Sequence, residues 1–254
     1  MHTEDTMSFL HRAPRLVVAH RGFAVGVAEN TLAAFHQALE HGADVLETDV
    51  HLSADGVAVC SHDPDLQRVA GRPERVNQLS AAELATIDIP GGGVPALAAV
   101  LDAFPTTPIS IDVKEDAAVQ ATITAISTAR AADRVLLASF SETRRQQLAQ
   151  AFPTAASAAT SAQIVPAYFR SLVGGSRSLG RVMNGVSAAF IPPTRRGIPL
   201  ATPRFIRHLS EAGVVTGVWT VNDADQMARF WRSGVQAIIT DRTDRAVATR
   251  DSLA

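Results

Sequence analysis

The chain has 254 residues, of which 46% are hydrophobic and 19% charged, and its formal net charge at pH 7 is −2. This length and hydrophobic content suffice for one sizeable core, so we expect a single domain over residues 1–254. The near-neutral balance argues against a broad basic field for nucleic acid and against stable membrane association.

Two further features concern location. The N-terminal sequence MHTEDTMSFLHRAPR lacks the apolar segment of a signal peptide, and no apolar run is long enough to span a bilayer. The only cysteine, Cys60, lies in an apolar run, which favours a small buried side chain and no disulfide. Together they predict a cytoplasmic protein. The sequence leaves the oligomeric state open.

Short apolar runs typical of buried strands alternate with amphipathic helical runs. Eight strands are predicted, at 16–19, 45–50, 109–113, 135–139, 154–158, 185–190, 214–221 and 237–240. Helices are predicted at 31–41, 97–104, 117–131, 142–152, 164–173, 203–212 and 224–233. Because eight strand–helix units in series favour a closed parallel sheet, we predict an α/β fold of the (β/α)8 TIM-barrel type.

One excursion interrupts this alternation early in the chain. The turn sequence SADG at 53–56 predicts a hairpin, and an extra short strand returns at 57–61. The following segment, 63–95, contains only one short helical stretch, at 80–87. We interpret 63–95 as a small insertion after the second strand.

A later segment, 191–200, combines apolar residues with two arginines at the expected rim of the barrel. We interpret it as a solvated loop, and a lipid-facing lip is the alternative.

Carboxylates follow two neighbouring strands. Because side chains alternate along a strand, Glu47 and Asp49 point the same way, and Asp112 and Lys114 have the same relation one strand later. Three converging carboxylates can bind one divalent cation, since Mg²⁺ and Ca²⁺ prefer oxygen ligands. The alternative is a set of surface carboxylates balanced by nearby basic groups.

Two histidines also lie at strand ends. His20 follows the first strand and His62 follows the extra strand. Histidine titrates near neutrality, so the pair can supply a general acid and a general base for phosphodiester cleavage, with structural hydrogen bonding as the alternative. Arg21 offers a planar fork for phosphate oxygens, and Glu29 is expected either to hold Arg21 or to cap the next helix.

Three residues near the end of the chain are interpreted more simply. Trp219 either stacks over a ligand or faces the core, and the sequence leaves both open. Asn222 precedes the helix predicted at 224–233, and Asp241 precedes a last helix that would follow the eighth strand, so we interpret both as helix caps.

A series of short motifs runs in order along the chain: HRG (20–22), ENTLAAF (29–35), GAD (42–44), ETDV (47–50), DG (55–56), HD (62–63), IDVK (111–114), SF (139–140), VWTVN (218–222) and ITD (239–241). Over nearly the whole chain this series resembles the glycerophosphodiester phosphodiesterase family. The resemblance implies a TIM barrel with a small insertion after the second strand. It also implies hydrolysis of a glycerophosphodiester to an alcohol and sn-glycerol 3-phosphate.

The same resemblance implies a set of site residues. The divalent metal, Mg²⁺ or Ca²⁺, would be held by Glu47, Asp49 and Asp112. The acid–base pair would be His20 with His62, and the phosphate would be bound by Arg21 and Lys114. In relatives the nucleophile is thought to be the substrate's neighbouring glycerol hydroxyl, which gives a cyclic phosphate that water then opens.

The chain departs from the family pattern in places that bear on the site. Asp112 stands where the family usually has glutamate, and alanines stand in 94–101 where it usually carries one or two glutamates. Two alternatives therefore remain. One is a lysophospholipase D-type hydrolase, which a long apolar surface in 63–95 would favour. The other is a catalytically weak barrel that binds phosphorylated ligands.

Overall fold

The computed structural model describes residues 8–174 and 176–253, so the first seven residues of the N-terminal segment discussed above lie outside it. Within the described residues, no helix combines the length and the apolar character that a bilayer crossing requires.

Eight parallel strands form a barrel. In chain order the strands are β1 (Leu16–Ala19), β2 (Val45–Leu52), β3 (Ala58–Cys60), β4 (Ile109–Val113), β5 (Val135–Ala138), β6 (Ala156–Ser157), β7 (Ala188–Ile191), β8 (Thr194–Arg195), β9 (Ile198–Pro199), β10 (Val215–Val218) and β11 (Ala237–Thr240). The barrel strands pair in the order β6-β5-β4-β2-β1-β11-β10-β7, and β3 pairs antiparallel with β2. An isolated parallel bridge between Ala158 and Ala188 joins the two ends. The predicted (β/α)8 fold is confirmed.

Helices surround the barrel. They are α1 (Leu32–Glu40), α2 (Gln67–Ala70), α3 (Ala81–Ala85), α4 (Leu97–Ala103), α5 (Ala118–Thr128), α6 (Glu142–Ala151), α7 (Ser161–Val173), α8 (Ser176–Val182), α9 (Pro203–Glu211), α10 (Ala224–Arg232) and α11 (Thr243–Asp251). Several begin at side chains that accept a backbone N–H. Thr31 accepts from Ala34 at the start of α1, and Asp223 accepts from Gln226 at the start of α10.

Strand alternation decides which side chains fill the barrel. On β1, Leu16 and Val18 belong to the apolar cluster inside it, and Val17 packs outward against the helices. Val45 of β2 and Ile239 of β11 also belong to the inner cluster. Residues of the same parity at the carboxyl ends of these strands therefore project into the mouth of the barrel.

The predicted insertion lies between β2 and α4 and has a small core of its own. Leu66, Leu84, Ile87 and Val94 are buried in this core together with Val59 of β3. The helical stretch predicted in the insertion is α3. A capping box on Ser80 stabilises the start of this helix. The large apolar side chains of the insertion are thus buried in its own small core.

The segment 191–200, predicted as a solvated loop, contains a short antiparallel hairpin, β8–β9, whose residues are exposed. It lies at the carboxyl end of β7, on the same side of the barrel as the site described next.

Candidate active site

A cavity of about 350 Å³ opens at the carboxyl ends of the strands. Eight of the nine predicted site residues line it: His20, Arg21, Glu47, Asp49, His62, Asp112, Lys114 and Trp219. The ninth, Glu29, lies behind Arg21. Strand parity explains the convergence, because the polar residues continue the inward-facing series of β1, β2 and β4.

Lys114 bridges two of the carboxylates. Its Nζ lies 2.6 Å from Asp49 Oδ1 and 2.6 Å from Asp112 Oδ2. Burial alone would lower the pKa of Lys114, yet the charges of Asp112 and Asp49 raise it above its usual value. The lysine is therefore charged throughout the neutral range.

The remaining carboxylate charge is poorly compensated. Burial, followed by the charge of Asp49, raises the pKa of Glu47 to about 8, and burial also raises the pKa of Asp112. Within the described part of the chain, the buried Oδ1 of Asp112 has no hydrogen-bond partner. A buried anionic oxygen without a partner is costly, so this cluster favours a further positive charge.

These observations bear on the predicted divalent cation. Among residues 8–174 and 176–253, no three His, Cys, Asp or Glu side chains have the geometry of a metal site. Lys114 occupies the space between Asp49 and Asp112. The donor chemistry nevertheless fits a hard cation, because all three carboxylates are buried and the Oδ1 of Asp112 is unsatisfied.

Arg21 is fixed at both its backbone and its side chain. Its backbone has a φ of 59°, a left-handed conformation unusual for arginine, and its N–H donates to Glu47 Oε2 at 2.9 Å. Its Nη1 donates to Glu29 Oε1 at 3.0 Å. Its Nε lies 3.1 Å from Asp49 Oδ2, a charge pair that is not aligned as a hydrogen bond. Glu29 thus holds Arg21, the first of the two predicted alternatives.

Arg68 of the insertion completes this network, and the sequence analysis did not identify it. Its Nη1 and Nη2 donate to the two oxygens of Glu29 at 2.9 and 2.7 Å, and its Nε donates to Asp63 Oδ2 at 2.6 Å. Burial would raise the pKa of Glu29, but the hydrogen bonds from Arg68 hold it below its usual value. The contact joins residues 39 positions apart, so no local pattern indicated it.

His20 pairs with Asp241, and this contact corrects the prediction that Asp241 caps the last helix. His20 Nδ1 lies 2.7 Å from Asp241 Oδ1. Since a carboxylate only accepts, Nδ1 carries the proton and Nε2 is left for other partners. Burial opposes protonation, yet the hydrogen bond to Asp241 and the charge of Glu47 raise the pKa of His20. Asp241 has the same parity as Ile239 of the inner cluster, which places its carboxylate beside His20.

Asn222 is not the cap of the next helix either. The cap of α10 is Asp223, and Asn222 instead donates from Nδ2 to Asp241 Oδ2 at 2.8 Å. Its Oδ1 accepts from the Asp241 backbone N–H at 2.9 Å. Asn222 therefore orients the carboxylate that binds His20.

His62 has a matching arrangement. Its Nδ1 lies 2.7 Å from Asp63 Oδ1, so the same reasoning leaves Nε2 for other partners. The backbone carbonyl of His62 lies 3.2 Å from His51 Nε2, and His51 Nδ1 lies 3.0 Å from Glu115 Oε1. Both cavity histidines are thus oriented by a carboxylate on the same ring nitrogen.

Part of the cavity wall is apolar. Trp219 donates from Nε1 to the Phe190 carbonyl at 3.0 Å. It is half-buried, and it both lines the cavity and packs against the apolar cluster inside the barrel. Phe140 is 62% exposed and meets Trp219 edge-on, with ring centroids 5.9 Å apart. Ile164 and Leu200 continue the wall. The cavity therefore has one highly charged side and one apolar side.

Comparisons with known proteins concern the family and the fold. A model of the Glycerophosphoryl diester phosphodiesterase family matches residues 20–245. A probable glycerophosphodiester phosphodiesterase 2 from Mycobacterium tuberculosis is 34% identical over 244 residues, covering 94% of this chain and 92% of that protein.

Solved structures show the same fold. A glycerophosphodiester phosphodiesterase from Agrobacterium tumefaciens matches with a TM-score of 0.75 at 27% identity, covering 93% of this chain and 99% of that one. A phosphodiesterase from Oleispira antarctica, solved with its product sn-glycerol-3-phosphate, matches with a TM-score of 0.79 at 21% identity, covering 93% and 96%.

Proposed function

This chain belongs to the glycerophosphoryl diester phosphodiesterase family and is a phosphodiesterase of that family, and on that premise we propose its chemistry. It hydrolyses glycerophosphodiesters to an alcohol and sn-glycerol 3-phosphate by histidine acid–base catalysis. One observation carries the proposal: two histidines, each held by a carboxylate at Nδ1, line the same cavity as Arg21 and Lys114.

The cations of the cavity bind the phosphate. Arg21 and Lys114 lie on its charged side and are held by carboxylates, so both are in place before the substrate arrives. Preorganised cations stabilise the negative charge that grows on phosphate oxygens during cleavage without a further reorganisation cost.

The two histidines transfer the protons. Each presents Nε2 as its free ring nitrogen, so one takes the proton of the nucleophile and the other gives a proton to the leaving alcohol oxygen. Asp241 favours the protonated form of His20, as the raised pKa indicates. His20 therefore suits the role of acid, and His62 that of base.

The nucleophile in this proposal is the glycerol hydroxyl next to the phosphodiester. The products of the first step are the free alcohol and a cyclic phosphate, which water opens with the histidine roles reversed. A 2-deoxy analogue of the substrate tests this route, because it has no such hydroxyl. Its cleavage at the normal rate would show direct attack by water instead.

A divalent cation, Mg²⁺ or Ca²⁺, belongs to the same proposal. Glu47, Asp49 and Asp112 would hold it, and when bound it would supply Lewis-acid polarisation of a phosphate oxygen. Support comes from the buried, under-compensated carboxylates described above.

The deciding experiment is a coupled assay for glycerol 3-phosphate over a panel of glycerophosphodiesters, first with a chelator and then with Mg²⁺ or Ca²⁺ restored. The proposal requires release of glycerol 3-phosphate that the chelator abolishes and the metal restores. Binding of the panel without any metal-dependent turnover would instead indicate a barrel that only binds phosphorylated ligands.

A second substrate class, lyso-lipids, is favoured by one observation. The apolar wall of Phe140, Trp219, Ile164 and Leu200 can accommodate an acyl chain. The insertion 63–95 does not provide the apolar surface expected for such a substrate, since its large apolar side chains are buried. Assaying a lysophosphatidylcholine beside glycerophosphocholine separates the two classes.

The proposal also includes a cytoplasmic location. Its support is the single cysteine, Cys60, which is buried and free of any disulfide.

A further inference from the structure

The helix α7 carries an unusual solvent-facing stripe of large apolar side chains. Val165, Phe169, Leu172 and Val173 are between 39 and 89% exposed, at the i, i+4, i+7 and i+8 spacing of one helix face. Its other face is buried in the core through residues such as Ile164 and Tyr168. A clustered apolar stripe on the surface marks an interaction site more often than scattered exposed residues do.

The surroundings of this stripe are basic. The sequence from 143 to 210 contains nine arginines and no aspartate, glutamate or lysine, although the whole chain has a net charge of −2. Arg170 is exposed beside the stripe, and Arg195 and Arg196 are exposed on the β8–β9 hairpin. The hairpin is tied to α7 by the hydrogen bond from Arg195 Nη1 to Ser161 Oγ, at 3.0 Å.

Neighbouring carboxylates do not neutralise this surface. Glu142 at the start of α6 is paired with Arg145. The helices α8 and α9 pack against α7, and the only carboxylate on either is Glu211, at the last residue of α9. The surface is therefore both apolar and cationic.

The surface is continuous with the active-site cavity. Ser161 and Ile164 of the first turns of α7 line the cavity, as do Arg195 and Leu200 of the hairpin segment. From Val165 onward the same helix turns its apolar stripe to solvent. Anything bound over the stripe would therefore also lie at the edge of the cavity mouth.

We propose that the α7 stripe and the β8–β9 hairpin dock reversibly on an anionic lipid surface. Val165, Phe169, Leu172 and Val173 enter the boundary between headgroups and acyl chains. Ile198 of the hairpin, which is also exposed, adds to this contact, and the arginines bind lipid phosphates. A second copy of this chain is a poorer occupant, since a two-fold contact would bring identical cationic surfaces together. The inference favours the lipid-facing alternative for 191–200 over the solvated loop.

Binding to vesicles tests the inference without any turnover. The chelated full-length protein is sedimented with phosphatidylcholine vesicles and with vesicles that also contain phosphatidylglycerol. We expect binding to the anionic vesicles, weakened by raised salt, and much weaker binding to phosphatidylcholine alone. Failure to bind the anionic vesicles at low salt overturns the inference and leaves the proposed hydrolysis untouched.

Two pairs of variants separate the apolar and cationic contributions. Phe169→Ser with Leu172→Ser should weaken binding at least 10-fold, because each side chain loses its apolar burial in the lipid. The matched control is Val25→Ser, which removes an equally exposed apolar side chain from the loop after β1, across the barrel. Unchanged binding by the double variant would contradict the inference.

The charge variant is Arg170→Gln with Arg196→Gln, which should weaken binding about 5-fold for each arginine. Arg12→Gln, an exposed arginine ahead of β1, is its control. Hydrolysis of glycerophosphocholine reports folding, since these residues do not line the cavity. A dimer in light scattering that Phe169→Ser converts to a monomer would assign the surface to self-association and overturn the lipid proposal.

Discussion

Arg68 and Glu29 form a two-pronged contact, in which Nη1 and Nη2 of the guanidinium donate to both carboxylate oxygens at 2.9 and 2.7 Å. Glu29 in turn holds Arg21, and Arg68 also binds Asp63, the partner of His62. The insertion thereby positions one phosphate-binding residue and one histidine of the proposed site at the same time.

We therefore expect Arg68→Met to lower kcat/KM about 10-fold, because both Arg21 and His62 lose part of their support. Arg72→Met is the matched control, since Arg72 lies in the same insertion and pairs with Glu74. Steady-state kinetics on glycerophosphocholine measures both variants. Equal kinetics in the two would show that the Arg68 network has no positioning role.

The proposed acid–base pair predicts large losses. His20→Ala and His62→Ala should each lower turnover by on the order of 10²-fold or more, the usual scale for a general acid or base. His36→Ala, an exposed histidine on α1, serves as the control. Near-normal turnover in either cavity variant removes that histidine from the mechanism.

The His20–Asp241 pair predicts a pH-dependent stability. Because the folded pKa of His20 is raised, its stabilisation is present below pH 6.5 and is lost as pH rises through the folded value. The folded pKa of Asp241 is lowered, so its stabilisation is lost only in acid, as pH falls through that value. The pH ranges in which His20 and Asp241 stabilise the folded state overlap in mildly acidic solution.

Asp241→Asn should therefore lower the free energy of unfolding by about 1 kcal/mol near pH 6 and by less near pH 9. The effect is modest because Asp241 is half exposed. Urea unfolding of the chelated protein at both pH values measures it, with Asp251→Asn as control. NMR titration should also show a lower pKa for His20 in the variant. A cost that does not change with pH would separate Asp241 from the protonation of His20.

The length of the carboxylate side chain at position 112 should affect metal affinity. Asp112→Glu should retain or tighten binding of Mg²⁺ or Ca²⁺ by calorimetry, because the longer side chain still brings an oxygen to the carboxylate cluster. Asp102→Glu, an exposed aspartate on α4, is the control. Complete loss of metal affinity in Asp112→Glu would mean that the cavity is fitted to aspartate.

Substitution of Gly22, the residue after Arg21, should lower the stability of the protein. A Cβ at Gly22 would lie 2.7 Å from the Ala34 backbone carbon, and the φ of Gly22 is +84°. Gly26 has a similar φ of +77° with no atom within 4 Å of its Cβ position. Gly22→Ala should cost about 1–3 kcal/mol more than Gly26→Ala in urea unfolding, since only Gly22 adds a clash. Equal costs would attribute both effects to backbone strain alone.

The sequence predicted the barrel and most of the cavity because both depend on local patterns. The strands β1, β4 and β11 have the predicted bounds, and alternation along β2 placed Glu47 and Asp49 correctly on the inward face. The order of the motifs along the chain indicated the family, and the match to the family model confirms that resemblance.

The errors have physical causes of their own. An aspartate just before a helix has the pattern of a cap, so Asp241 was misassigned; its partner, His20, is 221 residues away. Helix α8 lies in a glycine- and serine-rich stretch without apolar periodicity. Arg68 acts through contacts across the fold, and the charge asymmetry of 143–210 was hidden in a near-zero total.

The closure of the barrel between β6 and β7 has a consequence for substrate range. The strand β6 has two residues, and among the described residues one isolated bridge, between Ala158 just after it and Ala188 of β7, closes the barrel here. By contrast, β2 and β4 pair over five residues beneath the charged side. The amides of Ala158 and Ala159, two residues of the cavity wall, donate to the carbonyls of Leu137 and Ala188 at 2.8 and 2.7 Å. Because few other residue pairs surround them, we expect this seam to open more readily and its amides to exchange faster than those of β2. We therefore expect the cavity to adapt to different leaving groups at this seam rather than between β2 and β4.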